Sequence, residues 1–473
     1  MDDYEDFDAL GLAERVAQGD FTPDDLLDAA LARVDARDAA LNAVVVRAEE
    51  AARRAIDEGL PDGPFRGVPY LLKDLSLALP GLPLTHGSAI FEGNVSNVES
   101  ELVARYRAAG LVIFGRTHSP EFGLTTSTES RLFGQTKNPW KTTHTSGGSS
   151  GGASSAVAAG YLPLANASDG GGSIRIPASC CGLFGMKPAR GRTPMGPQSG
   201  EGWAGMSTIH AVSRSVRDSA ALLDATAGGM PGAPYAAQPP VRPWLAEVGE
   251  APGKLRIAIQ RAAFNGVAPH ADCEAALDDA VALCRALGHE VEEAPFGGVP
   301  ANLALAGVTV IAANTRATLE ERAAELGRPL DEDDVEPATW AMVELAGSRS
   351  ATDYAAAVRT LHATGRALSE HMARFDVVLS PTMAIPPAPL GVLSLSNPDR
   401  EAQTRTLLQT TGYTQLANVT GNPAMSMPLF WSDEGLPIGV QFMGRTDDEA
   451  TLFRLAGQIE RERPFFDRRP TLD

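Results

Sequence analysis

Thr145-Ser-Gly-Gly-Ser-Ser-Gly-Gly152, Ala153-Ser-Ser-Ala-Val-Ala-Ala-Gly160 and Ser168-Asp-Gly-Gly-Gly-Ser-Ile-Arg-Ile-Pro177 together decide how this chain is read. A Gly/Ser cluster in isolation reads as a flexible linker. Two features count against that here: the cluster is embedded in apolar sequence, and it runs into the hydrophobic stretch Tyr161–Ala165 rather than a polar tract. The run between the clusters has decent helix formers and almost no bulk, so it predicts a helix against which another backbone packs closely.

The first cluster, Gly147-Gly-Ser149-Ser-Gly151, formally matches the G-x-S-x-G nucleophile elbow. An elbow follows a strand directly, and Trp140–Thr145 is polar and reads as a poor strand, so the match is weak. The second cluster is more informative. Three glycines ahead of Ser173 can turn several N–H groups toward one point, and a developing oxyanion needs such donors at about 2.7–3.1 Å. Ser173 is therefore the better nucleophile candidate. A serine nucleophile needs a base, and Lys73 stands out because it follows the apolar Val68–Leu72 and precedes Asp74. A lysine delivered from a buried strand loses its charge through desolvation, although a Lys–Asp pair taken alone is more often a surface feature.

Working outward, Thr22 caps a helix whose first residue is Pro23 and whose stripe is Leu27, Leu31 and Val34. Phe65–Leu75, Leu111–Thr117, Lys254–Gln260, Glu290–Glu293, Asp376–Ser380 and Ile438–Met443 read as strands. Leu102–Ala109, Cys273–Leu287, Ala363–Arg374 and Asp447–Glu460 read as helices. This alternation is the pattern of an α/β protein. With no internal repeat and no long linker, residues 1–473 read as one large domain with local insertions.

The chain has 473 residues with 40 basic and 59 acidic side chains, a net charge of −19. That balance disfavours nucleic acid and polybasic membrane contact as the main partnership. The acidic N-terminus lacks a signal-peptide pattern, and the longest apolar runs fall well short of the ~20 residues that span a bilayer. Cys180, Cys181, Cys273 and Cys284 lack ligand spacing and read as reduced, buried thiols of a cytoplasmic protein. No metal motif, phosphate-binding loop or Ser-x-x-Lys is present, so the expectation is no cofactor and no metal.

The residues from Gly147 to Ala178 match the pattern of the amidase signature family, with its two serines 24 residues apart. Gly67-Val-Pro-Tyr-Leu-Leu-Lys-Asp74 fills the family's upstream lysine motif, and Gly421–Pro428 and Gly435–Gln441 resemble its C-terminal sheet motifs. The likeness runs from about Leu10 to Arg469, with 145–178 as the signature core. It implies a mixed central sheet sandwiched between layers of helices, and a Ser–cis-Ser–Lys triad. In that triad Ser173 attacks the carbonyl, Ser149 relays the proton after a cis Gly148–Ser149 bond, and neutral Lys73 accepts it. It also implies an oxyanion hole of backbone N–H groups from Gly170, Gly171, Gly172 and Ser173. Asp169 and Arg175 read as a buried pair positioning that loop, and Ser150 as a supporting hydroxyl.

The expected activity is hydrolysis of amide, and by the same acyl-enzyme route carbamate or ester, bonds in small neutral molecules; a homodimer is compatible with it. Two other readings stand beside it. One is the tRNA-dependent amidotransferases' amide-hydrolysing A chain, for which no basic tract is present. The other is a catalytically dead binding protein, against which every triad position is filled. Segments 194–210, 122–137 and 302–345 are expected to cover the site. In the last, Leu303, Leu305, Val308, Val310, Ile311, Trp340 and Met342 suggest an apolar pocket, or else simple packing. Gly67–Asp74 and Gly327–Val335 resemble the bacterial branch that includes nylon-oligomer (6-aminohexanoate cyclic dimer) hydrolases. Two features depart from common family patterns: Gly170, where many members carry a larger residue, and the segment around Trp203.

Overall fold

The computed structural model describes residues 3–472. Its backbone is an eight-stranded mixed sheet in the order Glu290–Glu293, Arg256–Ile259, Val377–Pro381, Pro437–Gly444, Ala424–Trp431, Phe184–Lys187, Thr208–Ser213, Leu164–Asp169. The first three strands are parallel to one another and every later pairing is antiparallel. Side chains alternate across the sheet. On one face Val440 and Phe442 join Leu452, Phe453 and Leu455 of the helix Glu449–Glu462 and Leu277 and Val281 of Ala271–Ala286. On the other, Met443 and Val378 pack with Leu368 and Met372 of Ala351–Met372, and Gln441 meets Arg175 of the short helix Arg175–Cys181. Helices on both faces of a mixed sheet are the expected α/β architecture.

A second, three-stranded sheet, Val44–Arg47, Val112–Thr117 and Pro69–Lys73, abuts the far edge of the first. Asn166 ties the two together. Its Oδ1 accepts from Lys73 N at 3.1 Å, and its Nδ2 donates to Tyr106 Oη and His210 O, each at 3.1 Å. The end of the lysine-bearing strand is thereby fixed beside Leu164–Asp169, the strand that runs into the glycine loop.

The local signals act as the sequence dictates. Thr22 and Asp25 form a reciprocal capping box with Pro23 at the first helical position. The small-residue run forms the helix Gly151–Ala158, buried throughout. Two expectations are corrected. The helix expected over Ala363–Arg374 spans Ala351–Met372, because Ser350 and Asp353 cap it a full three turns earlier. Lys141–Thr145, read as a poor strand, is a strand paired with Lys137–Asn138. It has no apolar alternation because this hairpin lies at the surface, with Thr142 and Thr143 exposed.

Candidate active site

Lys73 ends a strand that is buried along its whole length. Its Nζ lies 2.7 Å from Ser149 Oγ and 3.0 Å from Ser168 Oγ. Burial disfavours the ammonium form and carries its pKa down from 10.5 to about 7, against a weaker opposing pull from the Asp169 charge. A substantial fraction of this amine is therefore neutral at neutral pH, and a neutral amine can take a proton from a hydroxyl.

Ser149 follows a cis peptide bond from Gly148. A β-carbon at 148 would sit 2.6 Å from Ser127 N and from Thr126 C, so only glycine fits between Ser149 and that backbone. Ser150 acts at one remove. Its hydroxyl donates to Ser168 O at 3.2 Å and accepts from Ser168 N at 3.3 Å, tying the residue whose own hydroxyl neighbours Lys73.

The loop before Ser173 is built around the Asp169 carboxylate. It receives Arg175 Nε and Nη2 at 2.9 Å each, Gly172 N at 2.7 Å, Ile174 N at 3.1 Å and Asn418 Nδ2 at 2.8 Å. Arg175 in turn donates to Thr414 O, Gln441 Oε1 and Asn418 Oδ1 at 2.6–2.8 Å. Both charged side chains are fully buried. Burial alone would raise the Asp169 pKa, but the Arg175 charge and hydrogen bonds hold it well below the usual carboxylate range. Thr414 Oγ1 adds a bond to Gly171 O at 2.7 Å. This cage has a consequence for the four N–H groups expected to face an oxyanion: that of Gly172 is taken by Asp169. Among the described residues no hydrogen bond takes up those of Gly170, Gly171 or Ser173.

Ser149, Ser168, Gly170 and Ser173 open on one cleft of about 360 Å³. Segment 194–210 supplies Met195, Gln198, Glu201, Trp203 and Ile209 to its wall, and segment 122–137 supplies Phe122 and Gly123. The helix Leu303–Glu325 presents Asn314, Thr315 and Thr318. The apolar residues singled out in 302–345 do not line the cleft. Val310 packs with Ala306 and Leu361, Trp340 packs with Phe91, Leu319 and Val335, and Leu305 is exposed. The packing alternative holds for them, and the wall is correspondingly more polar than an apolar stripe suggests. Cys180 and Cys181 are buried in the core.

Four residues of the site carry no signal that local sequence reading can use. Ser168 and Asn166 look like ordinary strand residues, while Asn418 and Thr414 lie some 240 residues from the loop they hold. Gln441 closes the Gly435–Gln441 motif, which marks its place without revealing its partner.

A family model described as amidase matches residues 25–453. The 6-aminohexanoate-cyclic-dimer hydrolase of Paenarthrobacter ureafaciens is 38% identical over 98% of this chain and 96% of its own length. A solved structure of 6-aminohexanoate cyclic dimer hydrolase complexed with substrate superposes with a TM-score of 0.95 at 36% identity, covering 99% of each chain. A glutamyl-tRNA(Gln) amidotransferase component from Thermotoga maritima, its A chain, superposes with a TM-score of 0.77 at 26% identity, over 98% of this chain and 96% of that one.

Proposed function

Given that the chain belongs to the amidase family and hydrolyses amide bonds, we propose that it does so with Ser173 as nucleophile, Ser149 as proton relay and Lys73 as base. The observation that carries this reading is the buried Lys73 Nζ, 2.7 Å from Ser149 Oγ, in the cleft that also holds Ser173. Neutral Lys73 draws the proton of Ser149, which draws that of Ser173 as its oxygen attacks the substrate carbonyl. The oxyanion is held by the N–H groups of Gly170, Gly171 and Ser173, while Gly172 stays bound to Asp169. The proton returns through Ser149 to the departing amine, and water releases the acyl group by the reverse path.

Because the base is neutral Lys73, protonation below its pKa removes activity. The expected profile of kcat/KM falls about tenfold per pH unit below pH ~7 and levels off above it. A pH series on the wild-type enzyme checks this; a maximum near pH ~5 would contradict a lysine base.

The substrate class proposed is small, neutral oligoamides, linear or cyclic, with carbamates and esters accepted by the same acyl-enzyme route. The likeness to the cyclic-dimer hydrolases and a cleft lined by no Lys or Arg support it. Incubation with 6-aminohexanoate cyclic dimer is expected to release primary amine, one per ring opened. No release from this dimer alongside turnover of simple anilides would move the substrate class to aryl amides.

The amidotransferase reading is less well supported, because that structure is more distant at 26% identity than the cyclic-dimer hydrolase at 36%. Segments 194–210 and 302–345 are proposed as the substrate cover, within one catalytic domain. Among the described residues no helix is long and apolar enough to cross a membrane, and the four buried, unpaired cysteines support a reducing, cytoplasmic setting.

A further inference from the structure

Gly170, three residues ahead of Ser173, has no room for a side chain. A β-carbon there would fall 2.6 Å from Cζ3 and 2.7 Å from Cε3 of Trp203, and 2.9 Å from Ser207 Oγ. The indole thus fills the volume that a residue at 170 would take. Its backbone is held in an uncommon shape: Trp203, Ala204 and Gly205 have φ of 56°, 54° and 78° in succession. Several bonds fix that turn. The Glu201 carboxylate accepts from Gly205 N, Ser207 N donates to Gly202 O at 3.0 Å, and Arg190 Nε donates to Gly205 O at 2.6 Å. Arg190 Nη2 also donates to Asn418 O at 3.2 Å, so the Trp203 turn and the Asp169 cage share one anchor. Behind the ring lie Ala306, Val310 and Leu361.

Strain of this kind gathers at binding surfaces when the surrounding structure enforces it. Ser76, His86, Phe122 and Trp203 are all non-glycine residues with left-handed φ, and all four line the cleft. They fall on two sides. Phe122 precedes Gly123, whose β-carbon position would be 2.9 Å from Ser149 Oγ; in the proton relay that is the side of the departing amine. Trp203 stands against the loop that carries Ser173, the side of the acyl group.

We infer that Trp203 and Gly170 form one steric unit that sets acyl specificity, admitting unbranched methylene chains and excluding acyl groups with a ring or branch next to the carbonyl. The inference rests on the proposed role of Ser173. A side chain at 170 and the indole at 203 compete for one volume, so the two positions should exchange bulk.

The test is kcat/KM on the p-nitroanilides of hexanoate and benzoate for wild type, Trp203→Ala, Trp203→Phe, Gly170→Ala and the Gly170→Ala/Trp203→Ala double variant. Alanine at 203 is no more strained by left-handed φ than tryptophan is, and thermal melts check that each variant folds. Trp203→Ala should shift the benzoyl-to-hexanoyl ratio by about tenfold or more toward benzoyl, with Trp203→Phe in between. Gly170→Ala should lower hexanoyl turnover by about tenfold, and the double variant should recover most of that loss, because the methyl enters vacated space. An unshifted ratio, or a double variant no better than the product of the singles, overturns the inference. Ser173→Ala run on the same anilides keeps the two claims apart. If it is inactive while the ratio stays put, only the Trp203 inference fails; if it retains turnover, the serine mechanism fails.

Discussion

Ser173→Ala should reduce amide hydrolysis by a factor on the order of 10⁴ to 10⁶ in kcat, the scale at which removing the nucleophile of a serine hydrolase acts. The reason is chemical. Without Oγ no acyl-enzyme forms, and the remaining donors of Gly170, Gly171 and Ser173 N–H can only polarise a carbonyl for direct attack by water. The fold should hardly notice. The Ser173 hydroxyl makes no hydrogen bond to the protein among the described residues and faces the cleft, so melting should stay within about a degree of wild type, as for surface substitutions away from structural features. Steady-state kinetics with a melt on the same sample reads both quantities. A variant with near wild-type kcat would remove Ser173 from the mechanism.

Asp169→Asn should cost both stability and activity, although Asp169 is not expected to touch substrate. The substitution keeps the shape and removes the charge. It leaves the fully buried Arg175 guanidinium without its anion and sets an amide N–H₂ against donors that now face a carboxylate. Breaking a buried ion pair from one side costs about 3–5 kcal/mol, and a loop displaced by about 1 Å beside the nucleophile costs on the order of 100-fold in rate. The Asp169 pKa is depressed, so its contribution is complete above the unfolded value near ~4 and is lost only as strong acid protonates it in the folded state. The stability gap between wild type and Asp169→Asn should therefore be full at neutral pH and close in strongly acidic solution. Denaturant melts across pH check this; a gap that persists unchanged into strong acid would mean the pair is not what holds the loop.

These two residues differ from others of the site in how visible they are from sequence alone. Ser173, Ser149, Asp169 and Arg175 lie within one continuous stretch, and glycine clusters around a hydroxyl are unusual enough to be read locally. Lys73 could be placed because an apolar run leads directly to it. Asn418, Thr414 and Gln441 could not, because their roles exist only where the sheet brings residues some 240 to 270 positions apart into contact. The helix Leu303–Glu325 shows a different limit. Its apolar residues could be assigned to faces but not to what covers each face, and the face turned to the cleft proved to be Asn314, Thr315 and Thr318. Lys141–Thr145 escaped recognition because strand patterning reports a buried face, and a surface hairpin has none. Gly170 is a similar case. From sequence it suggested a looser loop or a wider pocket, and the structure fills its place with the Trp203 indole.

The central claim is that Lys73, through Ser149, activates Ser173 and no other serine. Labelling the intact enzyme with a fluorophosphonate, followed by peptide mapping by mass spectrometry, tests it most directly, because the probe reacts only with an activated hydroxyl. The account predicts one adduct per chain, on Ser173, that is lost in Lys73→Ala. An adduct on Ser149, or one on Ser173 that forms equally well in Lys73→Ala, would contradict it.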